Sequence, residues 1–137
     1  MGYHRDFEQA ARRHYKAAES LLAAQPSDRQ NDCDAGYLLG FAAECALKQM
    51  MLRGGMSPSD KDGIRAYWVH FPELKTLLKD EAHGRLRAQL LHFASNPSLM
   101  SNWHTEMRYA RNSDISKSRI DGWKEDAKTL ITSMEAY

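Results

Sequence analysis

Hydrophobic positions along the chain recur mainly at three- and four-residue steps, the spacing that lines one face of an α-helix. The pattern predicts a first helix with Asp6 as its N-cap and a polar terminator at residues 26–28. A second helix is predicted from its cap, Asp34, to residues 54–55, where paired glycines favour termination. Residues 55–69 predict a long loop, because they combine proline, glycine and mixed charge.

Shorter helical segments follow this loop. One is predicted over residues 71–84 with proline in its first turn, another over 86–94, and a short helical piece over 103–110. In the last helix, Ser118 and Asp121 have the spacing of a capping box. Period-two alternation of useful length is absent from the sequence. We therefore expect an all-α antiparallel bundle of four to five helices, with residues 1–137 forming one domain.

The second helix is apolar on nearly every side, which predicts a central and deeply buried position. Glu44 and Lys48 interrupt it four residues apart, the spacing of an intrahelical ion pair. In one interpretation they share a solvent-facing stripe, where such a pair contributes only about 0.3–0.5 kcal/mol. In the other, Glu44 is buried and needs a partner. Arg108, which lies between Trp103 and the neighbouring Tyr109, is the predicted partner, because a guanidinium binds a carboxylate through two hydrogen bonds.

Composition narrows the functional classes. The 137 residues include 19 basic and 18 acidic ones, so no global field recruits nucleic acid or a membrane. Cys33 and Cys45 form no metal-like or redox-like pair, and the six histidines show no metal-site spacing, so we expect no metal or cofactor. The polar N-terminus does not resemble a signal peptide, and no stretch is long and apolar enough to span a membrane. We expect a cytoplasmic protein.

Four stretches together resemble the HEPN domain (higher eukaryotes and prokaryotes nucleotide-binding). They are HYKAAESLL in the first helix, LLGFAAECALKQMML in the second, HFPELKTLL after the loop and MRYA near the end, in the family's order. The resemblance implies a bundle of four or five helices that commonly dimerises. Many members are metal-independent ribonucleases, and others bind RNA or nucleotides, or accompany a nucleotidyltransferase.

Catalytic members use an arginine followed four to six residues later by a histidine. Histidine transfers protons during attack by the 2′-hydroxyl, and arginine holds the phosphate. By resemblance the motif belongs near residues 108–118, where Arg111-Asn112 supplies the opening. Residues 115–118 read Ile-Ser-Lys-Ser, however, and Ser116 cannot replace imidazole as a proton carrier. We therefore expect no catalysis there, although an unusual constellation around Arg111 stays an alternative.

Two other arginine–histidine spacings match the motif formally. Arg65 and His70 fall in the loop and turn before the third helix, where His70 is expected to act as a cap. Arg87 (or Arg85) and His92 fall within one helix, where a five-residue offset separates the side chains. A chain with this many arginines and histidines yields such spacings by chance, so the spacing alone is a weak signal. Arg65 and His70 remain the candidate pair for a displaced ribonuclease site.

Basic residues concentrate in two places. The predicted nucleic-acid contacts are Arg108, Arg111, Asn112, Lys117 and Arg119. A second run, residues 12–16, would complete a phosphate-binding groove if the bundle joined the two; otherwise each is a solvated face. The aromatic residues Trp103, Tyr109 and Trp123 are expected in the core or a dimer interface in preference to a base-stacking surface.

The favoured function is a HEPN-like module without catalytic activity that binds RNA, a nucleotide or a partner protein, in a toxin–antitoxin or defence setting. The alternatives are a metal-independent ribonuclease with a displaced arginine–histidine pair and a dimeric scaffolding bundle. The expected partners are a second copy of the chain and a nucleotidyltransferase or antitoxin.

Overall fold

A computed structural model describes residues 5–24, 29–58 and 65–137. Five α-helices occur in these ranges: α1 (Phe7–Ala24), α2 (Asp32–Arg53), α3 (Glu73–Glu81), α4 (Arg87–Ala94) and α5 (Lys117–Ala136). Two 3₁₀ helices, Thr105–Tyr109 and Asn112–Asp114, lie between α4 and α5. The described ranges contain no strand, which confirms the predicted all-α bundle.

Contacts at the helix ends fix the directions of the three long helices. Arg53, at the end of α2, donates to Glu8 near the start of α1 at 2.7 Å and also to the Met134 carbonyl near the end of α5. Asn31, before α2, donates to the carbonyl of Leu21 late in α1 at 2.9 Å. Helix α1 therefore runs antiparallel to α2 and α5, which run parallel to each other because α3 and α4 return the chain between them.

Helix α2 is the centre of the bundle, as its sequence predicts. Among its residues only Asp34 is exposed, and none of residues 38–50 is. Side chains from other parts of the chain approach α2 closely where its residues are small. A Cβ added at Gly40 would lie 1.9 Å from the ring of Trp103, and one added at Gly36 would lie 2.9 Å from Ile120. Since protein interiors are close-packed, these positions have no room for a methyl group.

Local hydrogen bonds show which residues cap the helices. Two of the caps predicted from the sequence are wrong. Asp6 caps α1 as predicted, accepting from the Gln9 amide at 2.9 Å. Asp34 does not cap α2, which begins two residues earlier at Asp32. Ser118 does not cap α5: the extended Ser116 does, because its hydroxyl accepts from the Arg119 amide at 3.2 Å.

Loop predictions are only partly covered by the described residues. Helix α2 ends at the paired glycines as predicted, with Gly55 at φ +94°. The terminator predicted for α1 at residues 26–28 and the middle of the 55–69 loop lie outside the described residues. In the described end of that loop, Arg65 and Ala66 form a helical turn.

Candidate functional site

Glu44, the acidic residue in the middle of α2, is only 2% exposed. Both carboxylate oxygens lie 2.9 Å from Nδ1 of His70, and one accepts from the Phe71 amide at 3.4 Å. Lys48 Nζ is 3.7 Å away, one turn along the helix. The interpretation with a buried Glu44 is therefore correct, and the interpretation with a solvent-facing stripe is wrong.

The partner predicted for Glu44 is also wrong. Arg108 is exposed, and its guanidinium carbon lies 5.2 Å from the ring centroid of its neighbour Tyr109. The carboxylate is already surrounded by Lys48, an imidazole and a backbone amide, which supply the pairing that a buried charge needs. No arginine is required in this arrangement.

Lys48 is buried with Glu44, and burial lowers the pKa of its ammonium group. The Glu44 carboxylate opposes this shift, because an adjacent opposite charge favours the charged form. The pair is thus a buried charge cluster in the centre of the bundle, and it depends on both partners.

His70 has the orientation of a carboxylate-held imidazole. Since Nδ1 faces Glu44, Nε2 is the nitrogen left for a ligand. The side chain is 47% exposed, so the ring connects the buried carboxylate with the surface. The predicted capping role is only partly correct: the His70 carbonyl accepts from the Leu74 amide at 2.9 Å, while the imidazole is directed to Glu44.

A second histidine packs on the same aromatic side chain as His70. The ring centroids of His14 and His70 lie 6.0 Å and 5.6 Å from that of Phe41. Burial lowers the pKa of His14, the Arg13 charge lowers it further, and Glu44 raises it. Burial, the largest of these effects, therefore favours the neutral form of the His14 imidazole.

An exposed tryptophan lies close to His70 in the sequence. Trp68, two residues before His70, is 64% exposed, and the guanidinium carbon of Arg5 lies 3.6 Å from its ring centroid. This is a cation–π contact at the surface. The sequence analysis missed His14, Arg5 and Trp68. The adjacency of Trp68 and His70 in the sequence was the one available signal, since the exposure of a tryptophan depends on tertiary packing.

The two displaced arginine–histidine pairs do not form joint sites. Arg65 is exposed, and its guanidinium lies 3.5 Å from Glu73, while His70 faces Glu44. Arg87 and His92 occupy the two ends of the eight-residue helix α4, where His92 packs edge-on against Phe93. Of these four residues, only His70 joins a cluster of titratable groups.

The basic segment, residues 108–119, is held firmly against the bundle. Met107, just before the segment, and Ile115, within it, are both buried. Arg29 donates to the Ile115 carbonyl at 3.1 Å, and the Cys33 amide donates to the side chain of Asn112 at 3.4 Å. These contacts fix the backbone to the start of α2, and most of the other side chains of the segment are exposed.

Arg111, a predicted nucleic-acid contact, and its near neighbour Tyr109 project outward from this base. Tyr109 is 79% exposed and Arg111 is 85% exposed along its side chain. Arg111 lies 3.6 Å from Asp114, a distance at which an exposed pair contributes little. Trp103 and Trp123, which are 1% and 3% exposed, lie in the core as predicted, whereas Tyr109 lies outside it, and its predicted alternative place in a dimer interface stays a prediction.

Of the other two basic residues, Arg119 lines a groove between the segment and α5, and Lys117 does not. Lys117 pairs with Asp121 at 2.9 Å, and Arg119 donates to the Ser101 carbonyl at 3.3 Å. The groove has a volume of about 420 Å³, and its polar lining consists of Asn102, Asp114, Ser116 and Arg119. It offers hydrogen-bond donors beside the exposed guanidinium groups.

Arg12, at the start of the second basic run, lies far from the basic segment. Arg12 contacts Glu135 at 3.3 Å, near the end of α5, whereas Lys117 opens that helix. Eighteen residues of helix separate these positions, which corresponds to about 27 Å. Arg12 therefore does not join the basic segment in one groove, whereas Lys16, at the other end of its run, lies beside Lys124 of α5.

Within the described ranges, no group of three or more histidine, cysteine or acidic residues is arranged to hold a metal ion. No helix in that part of the chain combines the length and apolarity of a membrane span. No family model, curated protein or solved structure matches the chain.

Proposed function

We propose that the chain is a HEPN-like helical module that binds RNA or a nucleotide through the basic segment. The observation that carries the proposal is the outward-facing group formed by Tyr109, Arg108 and Arg111 on an anchored backbone. An exposed aromatic ring stacks on bases, and neighbouring guanidinium groups bind phosphates. Burial of Met107 and Ile115 supports a preformed surface.

The segment is proposed to act without catalysis. Ser116, which stands where a catalytic relative's histidine is expected, is occupied as the N-cap of α5. A serine hydroxyl does not exchange protons near neutral pH, so the proton carrier of the family's reaction is missing at this position. The HEPN relationship rests on the order of the four sequence stretches and on the helical bundle.

The test is fluorescence anisotropy of a labelled single-stranded oligoribonucleotide, with ATP as a competing ligand. Arg111→Ala should weaken binding and reduce the slope of log K against log salt by about 0.7, because one phosphate contact is lost. Tyr109→Ala should also weaken binding, through loss of stacking worth about 1–3 kcal/mol per base. The matched controls are Arg87→Ala and Tyr137→Ala, which remove the same side chains elsewhere.

Two outcomes would overturn the proposal. If neither the oligoribonucleotide nor ATP binds at low salt, the scaffolding bundle becomes the better explanation. If the control variants weaken binding as much as Arg111→Ala and Tyr109→Ala do, binding is a general effect of charge and not a property of the basic segment.

A further inference from the structure

A smaller polar cavity lies at the first turns of α5, where the loop of residues 96–102 packs against that helix. Its volume is about 230 Å³. Hydroxyl groups, one guanidinium and one carboxylate line it beside an indole: Ser98, Ser101, Ser118, Arg119, Asp126 and Trp123. The three side chains that carry the proposed RNA binding, Tyr109, Arg108 and Arg111, do not line this cavity. Its chemistry is therefore unused by the proposed function.

Hydrogen bonds from two helices hold the loop side of the cavity in place. Lys75 of α3 donates to two carbonyl groups of the loop. Asp126 of α5 accepts from the Met100 amide at 2.9 Å. The Ser101 carbonyl accepts from the indole nitrogen of Trp123 at 3.0 Å. A cavity whose walls are fixed in this way loses little conformational freedom when a ligand enters.

The same loop has an unusual backbone conformation around Ser101. Met100 and Asn102, on either side of it, have φ values of +50° and +66°. Residues other than glycine seldom adopt this left-handed conformation, and residues that do so collect at binding sites. The contacts with α3 and α5 maintain this strained turn at the wall of the cavity.

We propose that this cavity binds a small uncharged molecule rich in hydroxyl groups, a monosaccharide or a cyclic polyol. Arg119 and Asp126 contribute one charge of each sign, so the lining favours neither an anion nor a cation. A guanidinium only donates hydrogen bonds and a carboxylate only accepts them, whereas a hydroxyl group does both. Neighbouring hydroxyl groups of one ligand therefore satisfy Arg119 and Asp126 together, and the serine hydroxyls of the lining add further donors and acceptors.

The size of the cavity limits the ligand to one ring. Its volume of about 230 Å³ equals that of about eight molecules of liquid water. Pockets for drug-sized ligands are larger, at roughly 300–1,000 Å³. A single sugar ring suits this volume, whereas an oligosaccharide does not.

The experiment is saturation-transfer difference NMR of the full chain with D-glucose, D-galactose, D-mannose and myo-inositol, each at millimolar concentration. We expect transfer to the ring protons of at least one of them. Cyclohexanol, a ring of similar size with a single hydroxyl group, should show no transfer. Glycine and sodium sulfate, added in equal concentration, should not displace the bound polyol, because one is a zwitterion and the other an anion.

Two variants test the place of binding. Gly122 lines the cavity, and a Cβ added there meets no atom within 4 Å, so Gly122→Leu should fill the cavity and abolish binding without disturbing its neighbours. Asp126→Asn keeps an acceptor for the Met100 amide but removes the ionised oxygen, and should weaken binding about tenfold or more. The matched controls, Gly122→Ala and Glu125→Gln, should bind as the wild type does. Thermal unfolding checks that each variant is folded.

Three results would overturn this inference. They are transfer to none of the four polyols, binding that persists in both Gly122→Leu and Asp126→Asn, and displacement of the polyol by glycine or sulfate. RNA anisotropy with Gly122→Leu separates a free sugar from the ribose of RNA, and we expect it to be unchanged. RNA binding that is lost together with sugar binding would show that the cavity holds ribose, and would contradict the free-sugar assignment while leaving the proposed function intact.

Discussion

The contacts of one carboxylate, Glu44, explain why a charged group occurs inside the most apolar helix. Its oxygens bind His70 and the Phe71 amide, and Lys48 supplies a counter-charge. One acidic group therefore ties the turn before α3 to the central helix. The cost of burying it is offset by partners that come from 26 and 27 positions later in the chain.

Removal of the Glu44 charge should destabilise the fold. Glu44→Gln leaves the buried Lys48 without its counter-charge, and the loss of one partner of a buried pair typically costs about 3–5 kcal/mol. Arg108→Ala is the matched control and should change the free energy of unfolding by no more than about 0.5 kcal/mol, because Arg108 is exposed. Urea denaturation measures both.

A double variant shows whether the cost arises from the unpaired lysine. Glu44→Gln combined with Lys48→Met removes the isolated charge and retains an acceptor for the Phe71 amide, so part of the stability should return. An Arg108→Ala variant as unstable as Glu44→Gln would contradict the observed pairing.

At the scale of helices, the packing of α2 depends on positions without side chains. The indole nitrogen of Trp103 donates to the Gly36 carbonyl at 2.9 Å, and its ring occupies the space where Gly40 has no Cβ. This contact brings the chain just before the first 3₁₀ helix onto α2. The basic segment that follows is placed by the same contact.

Replacing a glycine by alanine should therefore change the free energy of unfolding in opposite directions in α2 and in α5. Gly40→Ala should lower the free energy of unfolding by about 1–3 kcal/mol, the usual cost of overpacking, because its methyl group overlaps Trp103. Gly122→Ala, with open space around its Cβ, should raise it by about 0.5–1 kcal/mol through better helix propensity. Thermal unfolding distinguishes the two, and equal effects would show that Trp103 does not pack on Gly40.

Helices were predictable from the sequence because their signal is local. Apolar spacing placed all five within a few residues, and the all-round apolar character of α2 predicted its burial. Caps were less certain, since Ser116 and Ser118 offer the same hydroxyl two residues apart and only the backbone conformation decides between them.

Candidate sites were harder to predict, because they depend on contacts between distant residues. The basic segment is continuous in sequence and was visible as a charge bias. The cluster of His14, Glu44 and His70 joins three parts of the chain, and no spacing rule relates them. Arg108 was a reasonable partner for Glu44 by chemistry alone; tertiary packing directed it to solvent instead.

At the scale of the whole molecule, α2 organises both candidate surfaces. Its start holds the basic segment through Cys33, and its middle holds His70 through Glu44. The half-buried rings of Tyr37 and Phe41 join the two along one face. Dimerisation, expected from the apolar excess of the sequence, stays a prediction.

The most direct test of the central claim is photo-crosslinking of the full chain to a single-stranded oligoribonucleotide that contains 4-thiouridine, followed by mass spectrometry of the linked peptides. We predict a crosslink in the peptide that contains Tyr109, lost at high salt and reduced in Arg111→Ala but not in Arg87→Ala. Crosslinks confined to other parts of the chain, or none at low salt, would contradict the assignment of the basic segment as the RNA-binding surface.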